Sequence, residues 1–161
     1  MKAKSFQGMS CSIAGALQAL GDRWAFLVLR DLAIGLRRYD DLQRSTQIPT
    51  TTLSERLKHL EAHELIERLQ YQDNPPRFEY ELTTKGRDFS MVMFALAQWG
   101  DRWTAGEAGP PVEFVDRDTG RRVRLAYVDD RTGHTVPGSR IEARPGPGAD
   151  DRVRWRLAQK G

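Results

Sequence analysis

Between Thr51 and His59 the chain brings together hydroxyls, a carboxylate, an imidazole and two cations within nine residues. At about 100° per residue of a helix, Thr51, Glu55, Lys58 and His59 fall on one side, flanked by Thr52, Ser54 and Arg56. Leu53, Leu57 and Leu60 recur on the opposite side as an apolar stripe. Such an outer face can bond both base edges and phosphate oxygens. The same residues would also suit an ordinary solvated face, so their surroundings have to decide. His59 and His63 have the i, i+4 spacing of metal ligands. They lack a glutamate at the metalloprotease position and a plausible third ligand, so no metal site is expected. With no glycine-rich phosphate loop, nucleophile elbow or recognisable carboxylate pair, neither an enzyme nor a cofactor is expected.

The elements that must position this face flank it directly. Tyr39 to Arg44 reads as a short helix, with Tyr39 and Leu42 pointing inward together. Pro49 cannot continue it and biases Ile48 away from helical geometry. A second helix, about Thr51 to His63, can start with Thr50 or Thr51 as its cap, and Thr52 with Glu55 has capping-box spacing. Leu65 to Tyr71 is strand-like, Asp73 to Pro76 is a turn cluster, and Phe78, Tyr80 and Leu82 alternate with charged residues as in a half-buried strand. A proline-stiffened hairpin carrying Arg77 could lie along a phosphate ridge or reach a minor groove; a plain surface hairpin is the alternative. Short helix, break, second helix and hairpin is the layout of a winged helix-turn-helix, whose second helix is shaped for the major groove. The predicted fold class is α+β, with a small C-terminal β-hairpin appendage.

Four segments in order, LGDRWAFLVLRDLAIGLRRYDDL, TTLSERLKHLEAHELIER, PPRFEYELTTKG and LAQWGDRW, resemble the HxlR-type transcriptional regulators, which are MarR-like winged-helix proteins. The resemblance spans roughly residues 11–103. It implies a homodimer on a pseudo-palindromic, double-stranded DNA operator, joined through the first helix and a long helix over 84–103. It maps the recognition helix onto Thr50 to His63, the wing onto residues 70–80, and a basic pair onto Arg37 and Arg38. Pro49 and Ser12 depart from the family pattern, where serine and proline respectively are common. Cys11 matches a position where many members carry a cysteine, which in some senses oxidants. A thiol at a helix N-terminus can have a lowered pKa; a small buried hydrophobe is the other reading. A winged helix used only to bind protein would keep the fold and ignore DNA.

Composition fits a small regulator. The 161 residues carry a net charge of only +3, so binding must rely on placed cations such as Arg37, Arg38, Arg44, Arg56, Lys58 and Arg77. Lys2 and Lys4 before SIAGALQAL faintly suggest a secretion signal, but Gln18 interrupts that run; with one cysteine and no long apolar stretch, a cytoplasmic protein without membrane contact is expected. Ile13, Ala14, Leu17 and Leu20 mark helix one, and Trp24, Leu27, Val28 and Ala33 a central helix two. A long helix should begin near Thr83 or Thr84, with Phe89, Val92, Met93, Leu96 and Trp103 as its main stripe and Met91, Phe94 and Ala95 off it. Trp24, Trp99 and Trp103 could line an apolar effector pocket or be plain core.

Residues 1–104 are therefore read as the DNA-binding and dimerisation domain, 105–111 as a linker and 112–161 as an appendage. VDRDTGRRV and VDDRTGHTV repeat with a period of 13 and predict two stacked hairpins. The family resemblance extends to a cysteine-bearing appendage similar to a zinc ribbon. Thr119-Gly120 and Asp129 to Thr132-Gly133 stand in the corresponding places here, which implies a metal-free form. Val153, Trp155 and Leu157 alternate with arginines, predicting an edge strand, with a disordered basic tail as the competitor.

Overall fold

The computed structural model describes residues 6–159, so Lys2 and Lys4 lie outside the described residues. The chain divides into two compact units, residues 1–93 and 94–161.

The first unit runs α1 (Ser12–Leu20), α2 (Arg23–Ala33), α3 (Tyr39–Thr46), α4 (Thr50–Ala62), β1 (Ile66–Asp73), β2 (Pro76–Leu82) and α5 (Thr84–Asp88), and includes the start of α6 (Ser90–Thr104). Asp22 starts α2, its Oδ1 accepting from the Trp24 and Ala25 amides at 2.9 and 3.3 Å. Val28 and Leu29 of α2 meet Leu42 of α3, Leu53, Leu57 and Leu60 of α4, and Ile66 of β1 in one buried cluster. Ile48 joins it from the α3–α4 turn, where the Thr46 hydroxyl donates to the Leu42 carbonyl at 2.6 Å. The apolar stripe expected for the second helix is therefore the floor on which that helix lies.

Several local expectations are corrected. α4 begins at Thr50, with Pro49 as its cap residue and no side-chain cap bond. Thr50, Thr51 and Thr52 thus lie inside the first turn, so no threonine caps the helix and Thr52 with Glu55 is not a capping box. The long helix is two: Thr83 caps α5, its hydroxyl accepting from the Gly86 amide at 3.1 Å, and Phe89 separates α5 from α6 as its ring packs edge-on against Phe26 at 5.6 Å. Of the stripe expected along α6, Phe89 and Met93 pack on the core, whereas Val92, Leu96 and Trp103 are exposed in the single chain.

β1 and β2 pair antiparallel from Ile66 opposite Leu82 to Asp73 opposite Pro76, with an irregularity between Gln70 and Gln72. Arg38 bridges Glu79, and the Tyr80 amide donates to the Arg37 carbonyl at 2.9 Å. Residues 37–38 therefore meet β2 through an isolated bridge, which the sequence did not suggest because two arginines just before a helix carry no strand signal.

The second unit starts inside α6 rather than at the expected linker 105–111. The physical reason lies in α6 itself. The Phe94 ring stacks on Phe114 at 4.2 Å, and the Gln98 amide accepts from the Leu125 N–H at 2.9 Å and donates to its carbonyl at 3.3 Å. The 13-residue repeat is a structural repeat. Asp116 Oδ1 accepts from the amides of Asp118 and Thr119 and from the Thr119 hydroxyl at 2.8–3.0 Å; Asp129 Oδ1 does the same with Arg131 and Thr132 at 2.9–3.1 Å. Gly120 and Gly133 close the two turns. The second hairpin pairs β3 (Tyr127–Val128) with β4 (Thr135–Val136), and the first is an isolated bridge from Val115 to Arg122. Residues 151–158 overturn both readings of the tail. They form α7 (Asp151–Ala158), with Asp150 Oδ1 accepting from the Val153 amide at 2.8 Å. Val153 and Leu157 are four apart and half-buried together, while Trp155 points out. The i, i+4 pair outweighs the alternation once Asp150 supplies a cap.

Candidate nucleic-acid interface

Tyr39 locks the two helices of the turn together. Its hydroxyl donates to the Thr50 carbonyl at 2.8 Å and lies 3.1 Å from Ser54 Oγ. That bond fixes the start of α4 against α3 and engages Ser54, one of the candidate contact residues. Along α4, Thr50, Thr51, Glu55 and Lys58 are exposed, and Thr52, Ser54, Arg56 and His59 are half-buried.

Two further members of the candidate set on α4, Arg56 and His59, have partners within the protein. Arg56 Nε lies 3.3 Å from Asp22 Oδ2, so the guanidinium is drawn to the residue that caps α2, and a terminal nitrogen lies 3.5 Å from Glu55. His59 turns toward α1, with Nε2 3.0 Å from the Ala19 carbonyl, which makes Nε2–H the donor. A Cβ at Gly21 would come within 2.9 Å of that nitrogen, so the α1–α2 corner closes on the ring. Helical phase put His59 with the outward residues of α4, but its ring is half-buried. It could not show that α1 crosses there and takes the imidazole.

The wing has its own division of labour. Arg77 is exposed beside the tip, where Asn74 and Pro75 are joined by a cis peptide bond. Arg38 is exposed, with its guanidinium 5.2 Å from the Tyr71 ring centroid. Arg37 instead pairs with Glu81, with Glu79 at 4.0 Å, so its charge is answered within the wing. Arg68, which the sequence reading passed over, sits on β1 with its guanidinium 3.5 Å from the Phe78 ring centroid. The signal that could have found it is register: Arg68 pairs with Tyr80, two residues from Phe78 on the neighbouring strand. Burial raises the Tyr80 phenol above its usual range, Arg68 opposes this, and Glu61 and Tyr39 add to it. That phenol therefore stays neutral beneath the wing.

Cys11 is half-buried at the N-cap position of α1, with extended backbone and no side-chain cap bond. Trp24 packs against the core, whereas Trp99 and Trp103 are exposed, at 61% and 66% of their surface. None of the three lines the cavity of about 600 Å³ beside α6 or that of about 470 Å³ beside α1. Among the described residues, no group of three or more His, Cys, Asp or Glu is placed to hold a metal ion, and no helix is long and apolar enough to cross a membrane.

Residues 19–108 match the family model described as HxlR-like helix-turn-helix. An HTH-type transcriptional regulator of Mycobacterium tuberculosis is 35% identical over 137 residues, covering 85% of this chain and 87% of the relative. The solved structure of PA1607, described as a transcription factor, superposes with a TM-score of 0.78 at 28% identity, covering 89% of this chain and all of that one. The redox regulator HypR in its oxidised form superposes at 0.54 with 27% identity, covering 57% of this chain and 96% of that one.

Proposed function

The chain belongs to the HxlR-like helix-turn-helix family of transcriptional regulators, and from that premise we propose that it is a homodimeric repressor of a pseudo-palindromic DNA operator. The observation that carries the reading is α4: its leucines are buried in the core, and Thr51, Glu55 and Lys58 stand exposed on the opposite face. In this assignment those three read base edges from the major groove, with Thr50 and Thr52 at the helix entry. Arg38, Arg77 and Arg68 meet phosphates or the minor groove from the wing. Ser54, Arg56, His59 and Arg37 hold the frame, because each already has a partner within the protein. The dimer forms through α1 and α6, whose apolar residues Ile13, Leu17, Leu96 and Trp99 are exposed in the single chain. Bound across a promoter, the dimer represses by excluding polymerase.

Selection of binding fragments from a random double-stranded library tests this. The expected outcome is an inverted repeat with half-site centres one helical turn, about 34 Å, apart. No enriched sequence, or an asymmetric single site, would overturn it.

Cys11 supplies a second input in this reading. It is half-buried where α1 begins, and α1 is assigned to the dimer interface. One structural relative is described as a redox regulator. Diamide treatment should lower operator affinity in the wild type and leave Cys11→Ser unchanged; equal responses would exclude a thiol switch.

A further inference from the structure

The second unit holds a cleft of about 600 Å³ between α6 and the first hairpin of the repeat. That volume lies within the roughly 300–1,000 Å³ of small-molecule sites. Every residue that lines it belongs to this unit, and most lie beyond residues 19–108, the stretch matched by the family model. Two contacts fix the hairpin on α6. The Phe94 and Phe114 rings stack with centroids 4.2 Å apart, and the Gln98 side chain bonds both the N–H and the carbonyl of Leu125. The walls are therefore in place before a ligand arrives, which spares it the cost of ordering them.

Apolar and cationic groups share the lining. Val112, Phe114 and Val123 contribute apolar surface and are exposed, and Phe94 lies half-buried against Phe114. A stacked pair of rings left open on one side offers a face or an edge to a third ring. Arg102 comes from α6, and Arg122 and Arg124 from the second leg of the hairpin. Glu113 is already paired with Arg122 at 3.3 Å. Arg102 and Arg124 are then matched in the lining by one carboxylate, that of Asp101, which leaves a surplus positive charge. A guanidinium can hold a carboxylate or sulfonate by two parallel N–H···O bonds. An ammonium ligand would meet like charge here, and an alcohol would leave the surplus unanswered.

The cleft does not compete with the surface assigned to the dimer. At about 100° per residue, Phe94, Gln98 and Asp101 share one side of α6, and Leu96, Trp99 and Trp103 share the other. A ligand can therefore enter whether or not that other side is covered. We propose that the cleft between α6 and the first hairpin binds a small flat organic anion, its ring body against Phe94 and Phe114 and its carboxylate or sulfonate held by Arg102 and Arg124. This site is independent of the reading of α4 as the DNA-contacting helix.

The test titrates the full, isotope-labelled chain with 2-naphthoate and follows its amide resonances by NMR, with 2-naphthylmethanol and 2-naphthylmethylammonium as the neutral and cationic controls. No DNA is needed. 2-Naphthoate should shift the backbone amides of Phe114 and Leu125 and the side-chain amide of Gln98 saturably, and should bind at least tenfold more tightly than either control. Arg102 and Arg124 are exposed, so changing both to glutamine should leave the spectrum of the free chain in place elsewhere. Arg102→Gln with Arg124→Gln should weaken 2-naphthoate at least tenfold and leave 2-naphthylmethanol within twofold. Absence of a saturable shift at those three signals, or equal binding of the three probes to the wild type, overturns the site without recourse to any variant. Saturable shifts confined to residues 6–93 put the probe elsewhere and overturn it as well. An unchanged 2-naphthoate affinity in the double variant overturns the role given to the two arginines.

Discussion

Arg56 and His59 lie on or beside the outward arc of α4, yet both are engaged within the protein: Arg56 forms an ion pair with Asp22 that leaves its buried Nε without a hydrogen bond, and His59 donates to the Ala19 carbonyl. Side chains so engaged cost an interaction to redeploy, so the proposed reading assigns base discrimination to Thr51, Glu55 and Lys58. Lys58→Ala should alter the preferred half-site, whereas Arg77→Ala should weaken all sequences alike and reduce the slope of log affinity against log salt by about two, one phosphate contact per protomer. Fluorescence anisotropy over a salt series measures both. A different residue-scale effect governs the appendage. The Thr119 amide and hydroxyl and the Asp118 amide hold the Asp116 carboxyl below its usual range, and Thr132 and Arg131 do the same for Asp129. A depressed folded pKa means that this stability is present above the unfolded value, about 3.8, and is lost as pH falls through the folded one. Amide exchange at Thr119 and Thr132 should accelerate in that acid window in the wild type, and Asp116→Asn should show fast exchange at Thr119 already at neutral pH.

Elements succeed or fail at their junctions. α4 starts without a side-chain cap; the Pro49 carbonyl accepts its first helix bond from the Leu53 amide at 2.9 Å, and Tyr39 clamps the first turn by donating to the Thr50 carbonyl. α5 is more sensitive. A Cβ at Gly86 would lie 2.0 Å from the Leu65 carbonyl oxygen, so no side chain fits between α5 and the start of β1. Gly86→Ala should therefore cost about 1–3 kcal/mol through overpacking, outweighing the gain in helix propensity. A fall of roughly 5 °C or more in melting temperature is expected by calorimetry; an unchanged melting point would show that the corner relaxes freely. Core stripes of this kind were legible in the sequence because burial imposes a period: Leu53, Leu57 and Leu60 could be read directly. The split at Phe89 and the bridge from Arg38 to Glu79 were not, because each depends on a neighbour distant in sequence.

For the whole molecule, the exposed apolar residues matter most. Ile13 on α1 is 73% exposed, and Leu96, Trp99 and Trp103 on α6 are all more than half exposed. A single chain that leaves so much apolar surface on two helices is expected to cover it with a second copy. Leu96→Glu with Trp99→Glu should give a sedimentation coefficient of one chain and reduce operator affinity by at least tenfold, since each half-site would then bind alone; an unchanged dimer would move the interface elsewhere. The order of segments, the α4 stripe, the turn cluster of the wing and the 13-residue repeat were determined by sequence alone, because helical phase, turn chemistry and repetition are local properties. Tertiary structure decided which outward residues remain available, since that depends on what crosses them: α1 over His59, Asp22 beside Arg56, Glu81 beside Arg37. It also decided that residues 151–158 are a helix, where Asp150 supplies the cap that alternation could not reveal.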